Sequence, residues 1–293
     1  MATVSVTAPM TPILRLRRVV AGHPVLIVGI ALMASIILFA LLGSVIIPVQ
    51  DAQVGAYLPR QVPGAERLLG TDSQGRDVLA VLVYSTPQTL LMGVIAGVVG
   101  IGIGTVLGLL AGFFGGWIDL VIRTLTDVFI TIPGIAILIV IATNVRQMDV
   151  ATMSLIVASL AWRFPARAIR AQTLSLRERG YIQIARLSGV SGLQLVFQEV
   201  LPNLLTYIAA AFVASVSQAI LAIIGLEALG LGPQDEYTLG MMIYWAQFYG
   251  AILRGMWWWW LPPIIMIVLI FISLLLISAG MDAFVNTRLR KTE

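Results

Sequence analysis

The chain has 293 residues, of which 59% are hydrophobic and 11% are charged, and its mean hydropathy is +0.98. Soluble domains contain about 45–50% apolar and about 25% charged residues, so this composition excludes a soluble domain and indicates a polytopic membrane protein. The net charge of +4 is scattered between apolar runs, which points to membrane topology and excludes a nucleic-acid partner.

Charge-free runs indicate the membrane spans, because a spanning helix needs about 20 mostly apolar residues. In chain order the predicted spans are 24–49, 89–113, 128–145, 150–162 (with an apolar pattern that continues past Arg163), 200–226 and 255–281. The first run is too long for a cleaved signal peptide, so we expect a retained anchor.

The run without charges at 78–118 could hold one span or two, and the positions of the arginines distinguish the two cases. With one span, the arginine-rich tail, the segment 163–186 and the C-terminal tail all lie in the cytoplasm, as the positive-inside rule requires. We therefore predict an all-α integral membrane protein with six transmembrane helices and cytoplasmic N and C termini.

This topology divides the chain into five parts. We predict a cytoplasmic tail at 1–23 and a first transmembrane helix at 24–49. An extracytoplasmic loop at 50–88 follows, with an interfacial or partly buried helix at 78–87. The core at 89–282 has five transmembrane helices and a cytoplasmic loop at about 175–200. The last part is a cytoplasmic tail at 283–293.

The second span carries glycines four residues apart, on one helix face, where they allow a neighbouring helix to approach closely. We expect packing within the chain, with a subunit contact or a hinge as the alternative. These glycines are Gly93, Gly97, Gly100, Gly104, Gly108 and Gly112.

Polar and helix-breaking residues inside two other spans are candidates for lining a transport pathway. Pro133 interrupts the third span, where its missing N–H should kink the helix. Ser215, Gln218 and Ala222 share one face of the fifth span. Packing inside the helix bundle is the alternative explanation for both features.

The segment 163–203 is polar but carries regular apolar residues, which indicates structured helices and not a flexible loop. We predict a helix to about Arg186, a turn in which Gly189 takes a left-handed conformation, and a short second helix that ends before Pro202. Its apolar face could dock into a cytoplasmic partner or pack against the helix ends of the same chain.

The stretch YIQIARLSGVS at 181–191, followed by VLPN at 200–203, resembles the EAA-type loop of bacterial ABC-importer permeases. In that pattern a Glu-Ala-Ala run precedes a glycine by four residues, and an Ile/Leu-Pro pair closes the loop. Gln183 stands where glutamate is usual, and Ile184 where the first alanine is usual. The residues that match are Ala185, Gly189, Leu201, Pro202 and Asn203.

Three further stretches are similar to the C-subunit type of dipeptide, oligopeptide and nickel permeases. LGTDSQGRDV at 69–78 resembles their LGTDxxGRDV segment, and LLAGFFGGWID at 109–119 resembles LLAGYFGGWxD. Residues 162–179 resemble W-P-x-Y-A-R-x-x-R-x-Q-x-L-S-L-R-E-R, with Pro165 displaced. LGLG at 229–232 also fits, although the usual Ser-Trp-Gly is replaced by TLG at 238–240.

This resemblance implies a type I ABC-importer permease fold and a place in the cytoplasmic membrane of a bacterium or archaeon. The implied partners are a second homologous permease subunit, two cytoplasmic ATP-binding subunits that hold ATP and Mg, an extracytoplasmic substrate-binding protein, and membrane lipid. The implied ATPase-coupling residues are Gln183, Ala185, Arg186, Gly189, Val190 and Ser191, and those that support the loop are Arg167, Arg170, Pro202 and Asn203.

The scarcest residue types agree with a non-catalytic role. Lys291 is the only lysine and no glycine loop precedes it, so the chain has no ATP-binding P-loop. Without cysteine, and with His23 as its only histidine, the chain lacks the ligands for the usual metal sites and any cysteine nucleophile. We therefore expect no catalytic residue, no metal and no cofactor on this chain, which disfavours an intramembrane enzyme.

The resemblance implies dipeptides or oligopeptides as substrate, with oligosaccharides or nickel as alternatives. The region 240–263 is rich in aromatic residues, including four tryptophans at 257–260. They could anchor the outer membrane interface or stack on a sugar ring. A secondary transporter is a distant alternative, because no pair of buried carboxylates is evident; Asp127 lies near a predicted boundary, with Arg123 as a candidate partner. A structural scaffold would not explain the loop.

Overall fold

A computed structural model of the chain describes the backbone of residues 24–290 and the side chains of residues 24–281. The predicted tail at 1–23 lies outside the described residues. The described part is helical, apart from turns and one isolated β-bridge between Thr71 and Asp77. The helices are α1 (Pro24–Ile46), α2 (Val78–Phe114), α3 (Gly116–Thr131), α4 (Gly134–Thr143), α5 (Val150–Ala161), α6 (Arg163–Arg177), α7 (Gly180–Leu187), α8 (Gly192–Leu195), α9 (Leu201–Ala228), α10 (Leu239–Phe248) and α11 (Trp257–Arg290).

Four helical runs of the described part are long and apolar enough to cross a membrane: α1, α2, the stretch Gly192–Ala228, and Trp257–Met281 of α11. The bent pair of α3 and α4 adds a fifth if it forms one crossing. The predicted fourth span corresponds to α5, which has 12 residues and is followed by the charged α6. The total of six spans and the orientation of the termini stay predictions.

The kink predicted at Pro133 is confirmed. Helix α3 ends at Thr131, α4 begins at Gly134, and the two axes differ by 83°. Proline has no N–H to continue the helix and also disfavours helical geometry in the residue before it. Ile132 accordingly has an extended conformation, with φ −75° and ψ 131°.

Residues 78–87, predicted to be an interfacial or partly buried helix, form the buried first part of α2. The side chain of Asp77 caps the N-terminus of α2 by accepting hydrogen bonds from the backbone N–H groups of Leu79 at 2.8 Å and Ala80 at 3.1 Å. The helix then continues through Pro87. This end of α2 is buried because it lies in a core cluster with residues of α1, α9, α10 and α11.

The glycine face of α2 packs within the chain, as predicted. Gly93 and Gly97 lie against Ile220 and Val216 of α9, whereas the glycines from Gly100 onward lie against α6 and the residues just before it. A Cβ on any of these glycines would meet backbone or side-chain atoms at less than normal contact distance. The two neighbouring helices therefore approach α2 more closely than any larger residue would allow.

The LGTDSQGRDV segment organises the loop before α2. Asp72 forms a buried ion pair with Arg76 at 2.6 Å and also accepts hydrogen bonds from the backbone N–H groups of Gln74 and Arg76. Gly75 has φ +74°, and a Cβ there would overlap the backbone oxygen of Tyr57. The residues of this motif thus fold the loop and start α2, which is a structural role.

The four tryptophans do not act together as an interfacial belt. Trp258 and Trp259 are buried, whereas Trp257 is exposed. The indole N–H of Trp258 donates to the backbone oxygen of Thr71 at 3.2 Å, and the Trp259 ring lies 5.9 Å from that of Tyr249. Two members of the run therefore join α11 to the loop before α2 and to the end of α10.

Candidate coupling surface and transport cavity

The predicted cytoplasmic loop contains a separate short helix. The expectation of one helix up to about Arg186 is wrong, because α6 ends at Arg177 and α7 begins at Gly180. Arg179 has an extended backbone, with φ −70° and ψ 139°, which interrupts the helix. The break makes α7 a separate element, on which Gln183 and Arg186 are exposed while Ala185 packs against the core cluster of the chain.

Gly189 closes α7 in the left-handed conformation that the sequence predicts. Its φ is +84°, and its N–H donates to the backbone oxygen of Arg186 at 3.1 Å. The N–H of Val190 reaches back to the oxygen of Ala185 at 3.3 Å. The Ser191 side chain then caps α8 by accepting from the N–H of Gln194. No atom lies within 4 Å of a Cβ built on Gly189, so the backbone conformation alone requires glycine.

The prediction that the second helix ends before Pro202 is also wrong. Helix α8 leads through a wider π-helical turn, Val196–Val200, directly into α9. Pro202 lies in the first turn of α9, and the wide turn before it accommodates a residue without an N–H. The amide of Asn203 donates to the backbone oxygen of Glu199 at 2.7 Å and strengthens this junction.

One face of the loop packs against the rest of the chain. Ile182 of α7 is fully buried, and it lies in one core cluster with Leu195, Val196 and Val200 of the loop. The same cluster includes Phe113 at the end of α2. This packing fixes the position of α7 and α8 relative to the membrane helices.

The other face of the loop is apolar and exposed, and we call it the loop surface. It consists of Ile184, Leu187, Leu193 and Phe197, whose exposed fractions are 67%, 88%, 57% and 62%. The described part of the chain thus buries one apolar face of the loop and leaves a second one open. An exposed apolar face on an ordered element is typical of a surface that contacts another protein or the membrane.

Arginines of α6 attach the loop to two other helices. Arg170 forms a bidentate ion pair with Asp119 of α3, with Nη2 and Oδ2 2.6 Å apart. Arg177 donates to the backbone oxygens of Gly112 and Phe113 at the end of α2, at 3.4 and 3.3 Å. Two stretches that carry the sequence resemblance, 109–119 and 162–179, therefore meet through these contacts.

The exposed ion pairs nearby are weaker. Asp127 lies 3.7 Å from Arg123, which confirms the predicted pairing, and 3.8 Å from Arg167. All three side chains are substantially exposed, so each pair contributes about 1 kcal/mol or less. Of the two arginines predicted to support the loop, Arg170 thus has the stronger contact.

Ser215, Gln218 and Ala222 line a common cavity of about 90 Å³ between α4, α5, the start of α6 and α9. A second cavity of about 320 Å³ shares Ser215 and Gln218 with the first and extends along α6 and α9. Pro133 does not line either cavity. The structure thus brings together two of the three predicted pathway residues.

Two charged residues in this region were not singled out by sequence reasoning. Arg163 lies in the wall of the smaller cavity, where its Nε and Nη1 atoms are buried without a hydrogen-bond partner among the described residues. Glu227 is fully buried at the end of α9, and a Cβ on Gly240 would overlap its carboxylate. The sequence carries one signal that could have drawn attention to Glu227. The TLG stretch at 238–240 has a glycine, Gly240, at the point where the chain folds back against this glutamate.

Comparison with known proteins agrees with this architecture. Residues 104–291 match the model of a family described as binding-protein-dependent transport system inner membrane component. The oligopeptide transport system permease protein OppC of Mycobacterium bovis is 32% identical over 185 residues, which cover 62% of this chain and 64% of that protein. The dipeptide transport system permease protein DppC of Alkalihalophilus pseudofirmus is 32% identical over 210 residues, covering 71% and 68%.

A solved structure of the MetNI methionine ABC transporter in an inward-facing conformation has a similar fold. The TM-score is 0.53 at 21% identity, and the match covers 71% of this chain and 95% of the other. The all-α permease fold expected from the sequence is thereby confirmed. The chain belongs to the family of binding-protein-dependent transport system inner membrane components. The resemblance to dipeptide and oligopeptide permeases is likewise confirmed.

Proposed function

We propose that the chain is a non-catalytic permease subunit of an ATP-driven importer and forms half of the pathway for dipeptides or oligopeptides. A second, homologous permease supplies the other half. Two cytoplasmic subunits bind and hydrolyse ATP, and an extracytoplasmic binding protein delivers the substrate. The complex lies in the cytoplasmic membrane of a bacterium or archaeon.

The observation that carries this proposal is the loop surface. The helix α7 is held rigidly from behind by Ile182, and it presents Ile184 and Leu187 outward. A short helix with an apolar face suits docking into a groove of another protein. An ATP-binding subunit is the partner that the family supports, and docking there would explain why the apolar residues stay uncovered within the described chain.

The contacts behind α7 suggest how movement is transmitted. A displacement of α7 by a closing ATPase pair moves α6 with it, because the two are joined through one short break and a shared core cluster. The ion pair between Arg170 and Asp119 then transmits the displacement of α6 to α3, and the close packing of α6 on the glycine face transmits it to α2. The packed helices move as a rigid body, which suits alternating access.

Peptides are the favoured substrate class. The relatives described above are named as oligopeptide and dipeptide permeases. The aromatic cluster of α10 is engaged with itself: the ring of Trp245 lies 5.0 Å from Tyr244, 5.7 Å from Phe248 and 6.0 Å from Tyr249. Trp258 and Trp259 are buried beside it and have no free face for stacking on a sugar, whereas Phe248 and Trp257 are exposed.

Substituting Gly189 with valine tests the coupling role. The left-handed backbone at φ +84° disfavours a β-branched residue, so α7 should lose its closing turn and dock incorrectly. In proteoliposomes with the whole complex, we expect ATP hydrolysis to continue while substrate uptake falls. Gly180→Val is the matched control, because Gly180 also has open space around it but begins a helix without a positive φ.

Two results would contradict the proposal. If Gly189→Val showed wild-type substrate-stimulated ATP hydrolysis together with wild-type uptake, α7 would not be the coupling element. The substrate class is tested separately by thermal-shift screening of the cognate binding protein against peptides, oligosaccharides and nickel. Stabilisation by sugars or nickel alone would refute the peptide assignment and leave the transport mechanism standing.

A further inference from the structure

A cationic side chain that makes no ion pair with the described residues lies in the wall of the smaller cavity. Arg163 is the first residue of α6; its side chain is half-buried, and its Nε and Nη1 atoms are buried without a hydrogen-bond partner among the described residues. Buried polar groups in proteins are almost always paired, so two buried guanidinium nitrogens without a partner need an explanation. Such an arrangement indicates that something outside the described chain completes the site.

The backbone at the start of α4 leaves room for this guanidinium. A Cβ on Gly134, at the start of α4, would overlap Nη2 of Arg163 and lie 2.8 Å from Nη1. The break at Pro133 and the glycine after it therefore leave the space that the guanidinium occupies. The Cζ atom also lies 5.1 Å from the centre of the Phe164 ring, which holds one side of the group.

The surroundings of Arg163 favour an anion. Ser215 and Gln218 line the same cavity and can donate further hydrogen bonds. The described residues that line the two adjoining cavities include no acidic side chain, so the positive charge is not neutralised there. Guanidinium pairs best with a planar carboxylate, which it can bind through two parallel hydrogen bonds.

This arginine is also a departure from the pattern that residues 162–179 resemble. That pattern has proline directly after its tryptophan, whereas this chain has Arg163 there and Pro165 two residues later. The charge is therefore not a requirement of the loop itself. It is an addition at the point where the loop meets the cavity.

We propose that Arg163 binds a carboxylate of the transported solute, such as the C-terminal carboxylate of a peptide, as the solute passes the cavity. This inference rests on the proposed import function and adds a specificity-determining residue to it. Ser215 and Gln218 assist by hydrogen bonding. Solutes without a carboxylate would lack this contact and would gain nothing from Arg163.

The test compares two substrates that differ only in that group: a peptide with a free C-terminal carboxylate and the same peptide as its C-terminal amide. Uptake is measured in proteoliposomes that contain the whole complex, and the affinity of the binding protein for each peptide is measured separately. The variants are Arg163→Gln, Arg163→Lys and Gly134→Ala. Arg146→Gln is the matched control, because Arg146 is exposed and has no ion pair within the described residues.

We expect Arg163→Gln to lower the ratio of acid uptake to amide uptake by about tenfold or more, since it removes charge-assisted hydrogen bonds. Arg163→Lys keeps the charge without the paired geometry, so its ratio should be intermediate. Gly134→Ala should act in the same direction as Arg163→Gln, because it displaces the guanidinium without removing it. Arg146→Gln should leave the ratio unchanged.

Other outcomes overturn the inference. An unchanged ratio in Arg163→Gln would show that no carboxylate binds there. Equal loss of both peptides, with the complex falling apart on size-exclusion chromatography, would instead make Arg163 a contact to another subunit. If the wild-type complex imports sugars or nickel and neither peptide, the proposed peptide function fails and this inference fails with it.

Discussion

The close contact between α2 and α6 predicts a specific response to adding a single methyl group. A Cβ on Gly108 would lie 2.9 Å from the backbone oxygen of Ala166, 2.9 Å from Cβ of Ile169 and 3.0 Å from the backbone nitrogen of Arg170. Two of these three atoms belong to the backbone and cannot rotate away. Gly108→Ala therefore forces the two helices apart.

The magnitude follows from the size of the overlap. Normal contacts begin at about 3.4 Å, so the helices must separate by roughly 0.5 Å, and overpacking of this kind costs about 1–3 kcal/mol. Replacing glycine by alanine in a helix also brings a gain of up to about 1 kcal/mol. Gly102 provides the control, since no atom lies within 4 Å of a Cβ built there.

Comparing Gly108→Ala with Gly102→Ala removes the helix-propensity contribution, which both variants share. We expect Gly108→Ala to be less stable than Gly102→Ala by about 1–3 kcal/mol. Reversible unfolding of the full chain in mixed SDS and detergent micelles measures this difference, and circular dichroism confirms that both variants are equally helical at the start. A difference within about 0.5 kcal/mol would refute the close packing of α2 against α6.

Two other contacts give predictions of the same kind. Arg170→Gln should destabilise the chain by about 1–3 kcal/mol, because it breaks a half-buried bidentate ion pair, whereas Arg123→Gln should cost less than about 1 kcal/mol. Thermal melting of the two variants measures both losses of stability. Equal losses would contradict this ranking of the two ion pairs. Gly240→Ala should destabilise the chain, because the added methyl group would overlap the carboxylate of Glu227. Combining it with Glu227→Ala should recover part of that loss of stability. A double-mutant cycle that shows no coupling between the two substitutions would contradict the contact.

Sequence patterns predicted three local features correctly. Gly189 has the left-handed backbone expected from its place after a helical pattern, and Pro133 breaks its helix as expected. The spacing of the glycines in α2 also predicted that they share a face that packs within the chain. Each of these features depends on residues that are close together in the sequence, so their periodicity and backbone preferences suffice.

Two predictions about helix ends were wrong. Proline at position 202 predicts that the preceding helix ends before it, but a single wide turn lets the chain run from α8 into α9. Gly180 directly follows the break at Arg179, but a single glycine is compatible with a continuous helix, so it did not predict the break. Hydropathy alone cannot report such small changes in backbone geometry.

Glu227 shows why a charged residue can be misplaced by hydropathy. Gaps between charged residues define the predicted spans, so the predicted fifth span ends at residue 226, next to this glutamate. In the structure α9 continues to Ala228, and the chain folds back so that Gly232 lies against Cγ of Glu227 and Gly240 against its carboxylate. A residue that looks like the edge of a span is in fact fully buried.

Composition and short-range sequence patterns suffice to predict the membrane class, the absence of a P-loop, the apolar runs, the glycine face and the family resemblance. Three other features become visible only in the folded chain: the contact of Asp119 with Arg170, the exposure of Ile184 and Leu187, and the position of Arg163 at a cavity beside Gly134. Burial and pairing arise from contacts between segments far apart in the chain, and no local pattern of hydropathy or charge contains that information.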